Sequence, residues 1–352
     1  MMRCLWLLPL ACFSLAAQDS GAGTWKFAVS GDSRNCGDIV MPAIAAGVLE
    51  SHAEFYLHLG DFRAIYSFDE DLVPPAKLGL PAKPLYISDY EDRAWPDFIL
   101  HQLDPFGGLP VFLAIGNHET IPPANRDRYL TQFADWLETP VLRAQRLADD
   151  PRDHTLRTYY HWVSRNVDFI VLDNASEEQF TSAQLKWLHA LLDRDEVSGQ
   201  IRTIVVGMHA ALPGSFGYRH SMSDWAQGEK SGREVYEALW HAQELGHKRI
   251  YVLASHSHFY MEDVFRTDYW KKRVLPGWII GTAGAVRHPL PAGAGGGRKA
   301  MANVYGYLIG TVASDSSISF SFQQLGVEEL LRVNHGKVPE ALVHWCYDEN
   351  HQ

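Results

Sequence analysis

Five short apolar runs punctuate the chain, at 25–30, 55–59, 111–115, 204–206 and 250–254. Each is bounded by Gly or polar residues and is too short for a helix, so each predicts a buried strand. Between them, 39–51 carries apolar residues at helical spacing. A strand, a helix and a strand within about 35 residues predict a crossover unit. The Pro-rich stretch 73–84 predicts a loop. Helices are expected at 89–103, with Pro96 as a kink or break, and at 125–138 and 141–148. Residues 159–163 and 167–172 predict a hairpin across Ser164, Arg165 and Asn166. A helix over 181–193 has Thr181 or Ser182 as its cap. The segment 201–209 predicts a strand, 211–232 a long irregular loop, and 234–245 a helix. Strands are expected at 249–254, around 278–280 and at 305–313, with 317–322 as a hairpin partner. The tail, 326–352, carries no clear pattern.

The residues at which the runs stop add chemistry to this outline. They are Gly31-Asp32, Gly60-Asp61, Gly116-Asn117-His118-Glu119, Gly207-Met208-His209 and Ser255-His256-Ser257-His258. In open sheets with helical crossovers, ligands sit beyond the carboxyl ends of the strands. The stops are therefore expected to converge. They would gather Asp32, Asp61, Asn117, His209, His256 and His258 into a metal site, with His118 alongside. A single strand-end Asp more often caps the next turn. The series of stops makes the metal site the better explanation.

In this order the motifs resemble the calcineurin-like metallophosphoesterases, and most closely their purple-acid-phosphatase-like branch. The resemblance runs from about Trp25 to about Val312. Gly116-Asn117-His118-Glu119 is its most specific piece, followed by His256-Ser257-His258, where the family usually has Gly at the position of Ser255. Residues 158–173 and the helix start 182–188 also look like that branch. The resemblance implies an α/β, four-layer αββα sandwich of two mixed sheets flanked by helices. It implies hydrolysis of phosphate esters by a metal-bound hydroxide at two ions. Asp61 would bridge them. One ion would take Asn117, His209 and His256, and the other Asp32 and His258. Imidazole with carboxylate suits iron, zinc or manganese. His118 would protonate or orient the leaving oxygen, with Glu119 or a backbone carbonyl orienting it.

The chain departs from the pattern at two ligands. Many family members have His two residues after the first Asp; here it is Arg34. Purple acid phosphatases have Tyr three residues after the bridging Asp; here it is Ala64. Asn35 or Tyr66 would have to replace these, or the Asp32 ion binds weakly. Arg34 reads as a phosphate clamp or as an exposed salt bridge. Arg219, His220 and Tyr218, in the loop after His209, are candidates for substrate recognition; Arg287 and His288 are weaker ones.

Composition narrows the partners. The chain has 352 residues, 46% hydrophobic and 21% charged, as a globular hydrolase would. Its formal charge is −11 and it has no basic stripe, which argues against duplex nucleic acid. A small phosphorylated substrate is expected instead, with bound cations supplying local positive charge. Residues 1–17 have the shape of a signal peptide, followed by a catalytic domain at 18–325 and the tail at 326–352. The expected location is periplasmic or secreted, with an anchored N-terminus as the lesser possibility. No later segment is apolar enough to span a membrane. Beyond the leader only Cys36 and Cys346 remain. An oxidising compartment permits a bridge between them, and two free thiols are at least as good a reading. A phosphodiesterase or nucleotide phosphohydrolase is the rival activity. A ligand-binding relative without catalysis is the rival class.

Overall fold

The computed structural model describes residues 23–81, 85–176, 179–217, 220–295, 297 and 299–352. The proposed leader and the candidates Tyr218 and Arg219 lie outside the described residues. In chain order the strands are β1 (Trp25–Ser30), β2 (Tyr56–His58), β3 (Val111–Leu113), β4 (Tyr160–Ser164), β5 (Val167–Val171) and β6 (Thr203–Gly207). They continue with β7 (Arg249–Ala254), β8 (Tyr260–Glu262), β9 (Gly277–Ile280), β10 (Ala300–Met301), β11 (Tyr305–Val312) and β12 (Ile318–Leu325). The helices are α1 (Gly37–Glu50), α2 (Ile87–Phe98), α3 (Arg126–Gln132), α4 (Ala134–Leu137), α5 (Pro140–Asp149), α6 (Ser182–Val197), α7 (Ala226–Glu244), α8 (Val327–Asn334) and α9 (Glu340–Asp348).

The strands form two mixed sheets, ordered β12-β11-β1-β2-β3 and β10-β8-β9-β7-β6-β5-β4. In the first, β1, β2 and β3 run parallel. In the second, β5, β6, β7 and β9 do. Side-chain alternation explains the layering. On β1, Phe27 and Val29 face the second sheet, while Ala28 faces the core under α1. On β5, Phe169 and Val171 face the first sheet, while Ile170 joins the core under α6 and α7. Two sheets back to back, each with helices outside, make the four-layer sandwich. Aromatic rings fill the middle: Phe27 stacks on Phe55 at 5.4 Å and Phe112 on Trp162 at 3.8 Å. Burying each such ring is worth about 1.5–3 kcal/mol.

Several local expectations need correction. Pro96 does not end α2; the helix runs through it and widens over Ile99–Leu103. The expected helix at 125–138 is broken at Phe133, which lies outside helical geometry between α3 and α4. The loop after His209 is shorter than expected because α7 starts at Ala226. The tail is ordered: α8 lies against α1, and Asn334 donates from its amide to the Ile39 carbonyl at 2.9 Å. Cys36 and Cys346 are not free thiols; they form a disulfide joining the start of α1 to α9. Among the described residues no helix is long and apolar enough to cross a membrane.

Candidate metal centre

The carboxyl ends of the parallel strands meet at one edge of the sandwich. Gly31 N–H donates to the Ile280 carbonyl, Asp32 N–H to Gly60, and Ser255 N–H to His209, all at 2.8–3.0 Å. These bonds stitch the strand ends of both sheets together. The turns are tight: Asp32, Asp61 and His256 all adopt left-handed backbone, with φ of 60°, 60° and 64°. Asp tolerates this region better than His does, and such strain collects at functional sites. The approach also requires glycine. A Cβ on Gly60, itself at φ 95°, would lie 2.5 Å from Gly116 N. One on Gly116 would lie 2.3 Å from Asp61 Oδ1.

The expected ligands converge. His209 Nε2 lies 2.9 Å from Asn117 Oδ1, 3.0 Å from His256 Nδ1 and 3.2 Å from Asp61 Oδ1. On the other side, His258 Nε2 lies 3.3 Å from Asp32 Oδ1. Donor atoms of Asp32, Asp61, His209 and His256 all fall within 4.8 Å of one another. Asp32 Oδ1 and Asp61 Oδ2 are buried without a hydrogen-bond partner. Buried carboxylate oxygens are costly to leave unpaired, so the donor set fits a cation.

The surroundings aim the rings. The Leu59 carbonyl lies 2.9 Å from His209 Nδ1, and the Val286 carbonyl 2.6 Å from His258 Nδ1. A ring that donates Nδ1–H to a carbonyl presents a bare Nε2 to the site, the usual support for a ligating histidine. His118 follows the same rule. Its Nδ1 is 2.7 Å from the Ala64 carbonyl, and its Nε2 faces Asp61 Oδ2 at 3.6 Å. So a backbone carbonyl orients His118, while Glu119 supports the turns: its carboxylate accepts from the N–H groups of Asp61, Phe62 and Gly116. Burial and then Asp61 push the Glu119 carboxyl up to about 7.

Charge at the site is polarised. Burial would raise the Asp32 carboxyl, but His258 and His209 hold it at about 2. Burial pulls the His209 imidazole down, yet Asp61 and Asp32 raise it to about 10. The field that holds a proton on His209 is the field that would hold a cation in its place. Burial lowers His118 to about 4.

The candidates around the site divide. Arg34 is not an exposed salt bridge: its side chain is 14% exposed and its Nε lies 3.8 Å from Asp61 Oδ2. His220 lies at the rim, its ring 5.1 Å from those of His256 and His288. His288 packs on His258 at 4.1 Å. Arg287 turns away from the site; its guanidinium donates to the carbonyls of Asn350, Asn303, Cys346 and Tyr347 and so clasps the tail. Asn35 donates its amide N–H to Glu70 at 2.9 Å, and its Oδ1 accepts from the Val286 N–H at 3.4 Å. Tyr66 is 59% exposed, its ring 5.3 Å from that of His118. A further group, Asp38, Asp97 and His101, is filled by the buried Arg63 guanidinium, which bonds both carboxylates.

Two supporting residues escaped the sequence. His58 is buried beside the site, with Nε2 3.0 Å from Ser33 Oγ, and burial drives it down to about 3. A lone His inside the apolar run 55–59 was its signal. Asn174 Oδ1 accepts from His209 N–H and Ala210 N–H at 3.2 and 3.1 Å, fixing the His209 turn. It follows the run ending at Asp173, so the strand-end rule applied there as well.

No protein-family model and no curated protein matches the chain. Solved structures do. A purple acid phosphatase from yellow lupin (Lupinus luteus) seeds matches with TM-score 0.55 at 14% identity, over 90% of this chain and 53% of that one. The chain thus spans about half the length of the lupin protein. PhoD matches with TM-score 0.53 at 16% identity, over 87% and 72% of the two chains. A dimetal phosphatase from Danio rerio matches with TM-score 0.51 at 12% identity, over 84% and 98%. GAP50, the anchor in the inner membrane complex of Plasmodium, matches with TM-score 0.52 at 12% identity, over 86% and 84%. The chain has the fold of the calcineurin-like metallophosphoesterases.

Proposed function

We propose that this chain, with its metallophosphoesterase fold, is an exported metal-dependent phosphoesterase acting on small phosphorylated substrates, with monoesters preferred. One observation carries the proposal. Donor atoms from four different strand ends meet around His209 Nε2, beside two buried carboxylate oxygens that have no hydrogen-bond partner. Asp61, Asn117, His209 and His256 would hold a metal ion, and their mixed imidazole, carboxylate and amide donors suit zinc, iron or manganese. When bound, such an ion supplies Lewis acidity to a phosphoryl group and to water.

The remaining work falls to side chains. His118, held at Nδ1 by the Ala64 carbonyl, points Nε2 into the site; once Nε2 takes up a proton there, the ring can pass it to a departing oxygen. Arg34 offers a guanidinium fork to the phosphoryl oxygens. His220 and His288 line the approach, and Arg219 precedes His220 in that loop. Export is supported by the disulfide, which persists in oxidising compartments.

The test is turnover of p-nitrophenyl phosphate and bis(p-nitrophenyl) phosphate by purified, metal-loaded protein. Hydrolysis that is faster for the monoester, stopped by chelator and lost in Asp61→Ala together with the bound metal, supports the proposal. A preference for the diester would move the assignment to a phosphodiesterase. Metal-loaded protein that turns over neither ester refutes catalysis and leaves a binding protein, a class that the likeness to the Plasmodium anchor keeps in play.

A further inference from the structure

The two halves of the centre are not equivalent. Around His209 four donors come from separate strand ends. On the Asp32 side three remain: Asp32 Oδ1, Asp61 Oδ2 and His258 Nε2. The Arg34 guanidinium faces two of these three. Its Nη2 is 3.4 Å from His258 Nε2 and its Nε is 3.8 Å from Asp61 Oδ2. His258 has only that nitrogen to offer, because its Nδ1 is engaged by the Val286 carbonyl at 2.6 Å. It cannot turn away either, since its ring packs on His288 and its carbonyl accepts from the His288 N–H at 3.0 Å.

The Arg34 backbone is held on both sides. The Asp61 carbonyl accepts from the backbone N–H groups of Ser33 at 2.9 Å and Arg34 at 3.3 Å. Asn35 donates its N–H to Asp69 Oδ1 at 2.6 Å, and Cys36 is tied to Cys346. A guanidinium is cationic and has no lone pair to give a metal. A second cation here would compete with an N–H for the one nitrogen of His258 that faces the site, while standing beside a positive charge.

We infer that the centre keeps one resident metal ion, held by Asp61, Asn117, His209 and His256, and that the Arg34 guanidinium stands in for the second cation. The inference rests on the phosphoesterase reading of this site and refines it. A guanidinium can neutralise Asp61 and donate to a phosphoryl oxygen. Its Nε–H is buried and makes no hydrogen bond, as a donor awaiting an anionic oxygen would be. Charge compensation is thereby retained without a second ion.

Metal counting tests this without relying on activity. Protein stripped with chelator, reloaded with excess Mn²⁺ and passed through a desalting column should carry one equivalent by elemental analysis. Its electron paramagnetic resonance spectrum should show the six lines of an isolated Mn²⁺. Two equivalents, or the spectrum of an exchange-coupled pair, would overturn the inference, and this arm needs no variant. Arg34→His, folded by circular dichroism, should take up a second equivalent and show coupling; a variant that stays at one equivalent would remove Arg34 as the cause. The two proposals fail separately. One equivalent with no ester turnover defeats the phosphoesterase and leaves the metal count standing. Two equivalents with turnover does the reverse.

Discussion

Removing the Cys36–Cys346 bridge should cost the protein a large part of its stability while sparing the metal donors around His209. The two cysteines are 310 residues apart in sequence, so the bridge closes nearly the whole described chain into a loop. Loop-closure entropy for that length is worth about 5–6 kcal/mol at 25 °C. That is comparable with the whole stability of many domains. The native state offsets part of the loss, because the tail has other anchors. Arg287 holds four carbonyls, and the amides of Asn334 and Asn350 bond Ile39 and Gly284. We therefore expect Cys36→Ser/Cys346→Ser to lose about 3–5 kcal/mol in urea unfolding, with a fall in Tm on the order of 10 °C. The denaturant slope should rise, because the uncrosslinked unfolded chain exposes more surface. Below the new transition, bound metal should persist, since Asn117, His209 and His256 sit on turns that the tail does not hold. Thiol titration of the unreduced protein is the first control. In protein without the leader cysteines Cys4 and Cys12, two reactive thiols per unfolded chain would refute the bridge. Equal unfolding midpoints for the two proteins would refute the entropic reasoning.

His118→Ala should keep its metal and slow esters with poor leaving groups most, by ~100- to 10,000-fold against a smaller loss for nitrophenyl esters; equal losses would leave His118 with positioning alone. His161 should contribute a pH-dependent share of stability. Burial opposes its charge, but Asp149 at 2.6 Å and Asp168 at 2.8 Å raise it to about 9, above the unfolded value. Its contribution, up to about 3 kcal/mol, is then complete below about pH 6.5 and lost as the pH rises through 9. The gap in urea stability between wild type and His161→Gln should shrink from pH 6 to pH 10, and a constant gap would contradict the assignment. Protein loaded aerobically with iron should stay free of a strong visible tyrosinate band, because Ala64 stands where a Tyr ligand would be and Tyr66 faces His118 from the surface. A band that vanishes in Tyr66→Phe would show a ligand has been misplaced.

Much of the centre was legible before any coordinates. Strand ends are marked by where an apolar run stops, because buried parallel strands admit few polar residues. Six residues identified that way meet here. Arg34 could be located but not interpreted, since its role depends on what lies opposite, and His258 is 224 residues away. Arg287 was misread for the same reason: proximity in sequence to a strand-end turn did not reveal that its guanidinium turns back to the tail. Phe133 breaks a helix that the local pattern would continue, and its ring lies among Phe62, Trp95 and Tyr129 in a core assembled from distant segments. Arg219 and the leader lie outside the described residues and stay as sequence expectations.

By itself the sequence determined most of the strands and helices ahead of the tail, the donor residues at the strand ends and the glycines that let turns approach closely. Those properties are local, set by polarity period and backbone sterics within a few residues. Only the tertiary structure decided which ring nitrogen faces the site, which carboxylate oxygens are left unpaired, that Arg34 covers His258, and that Cys36 meets Cys346. These depend on contacts between residues 28 to 310 positions apart. Chain folding, rather than any neighbour in sequence, brings such partners within hydrogen-bonding distance.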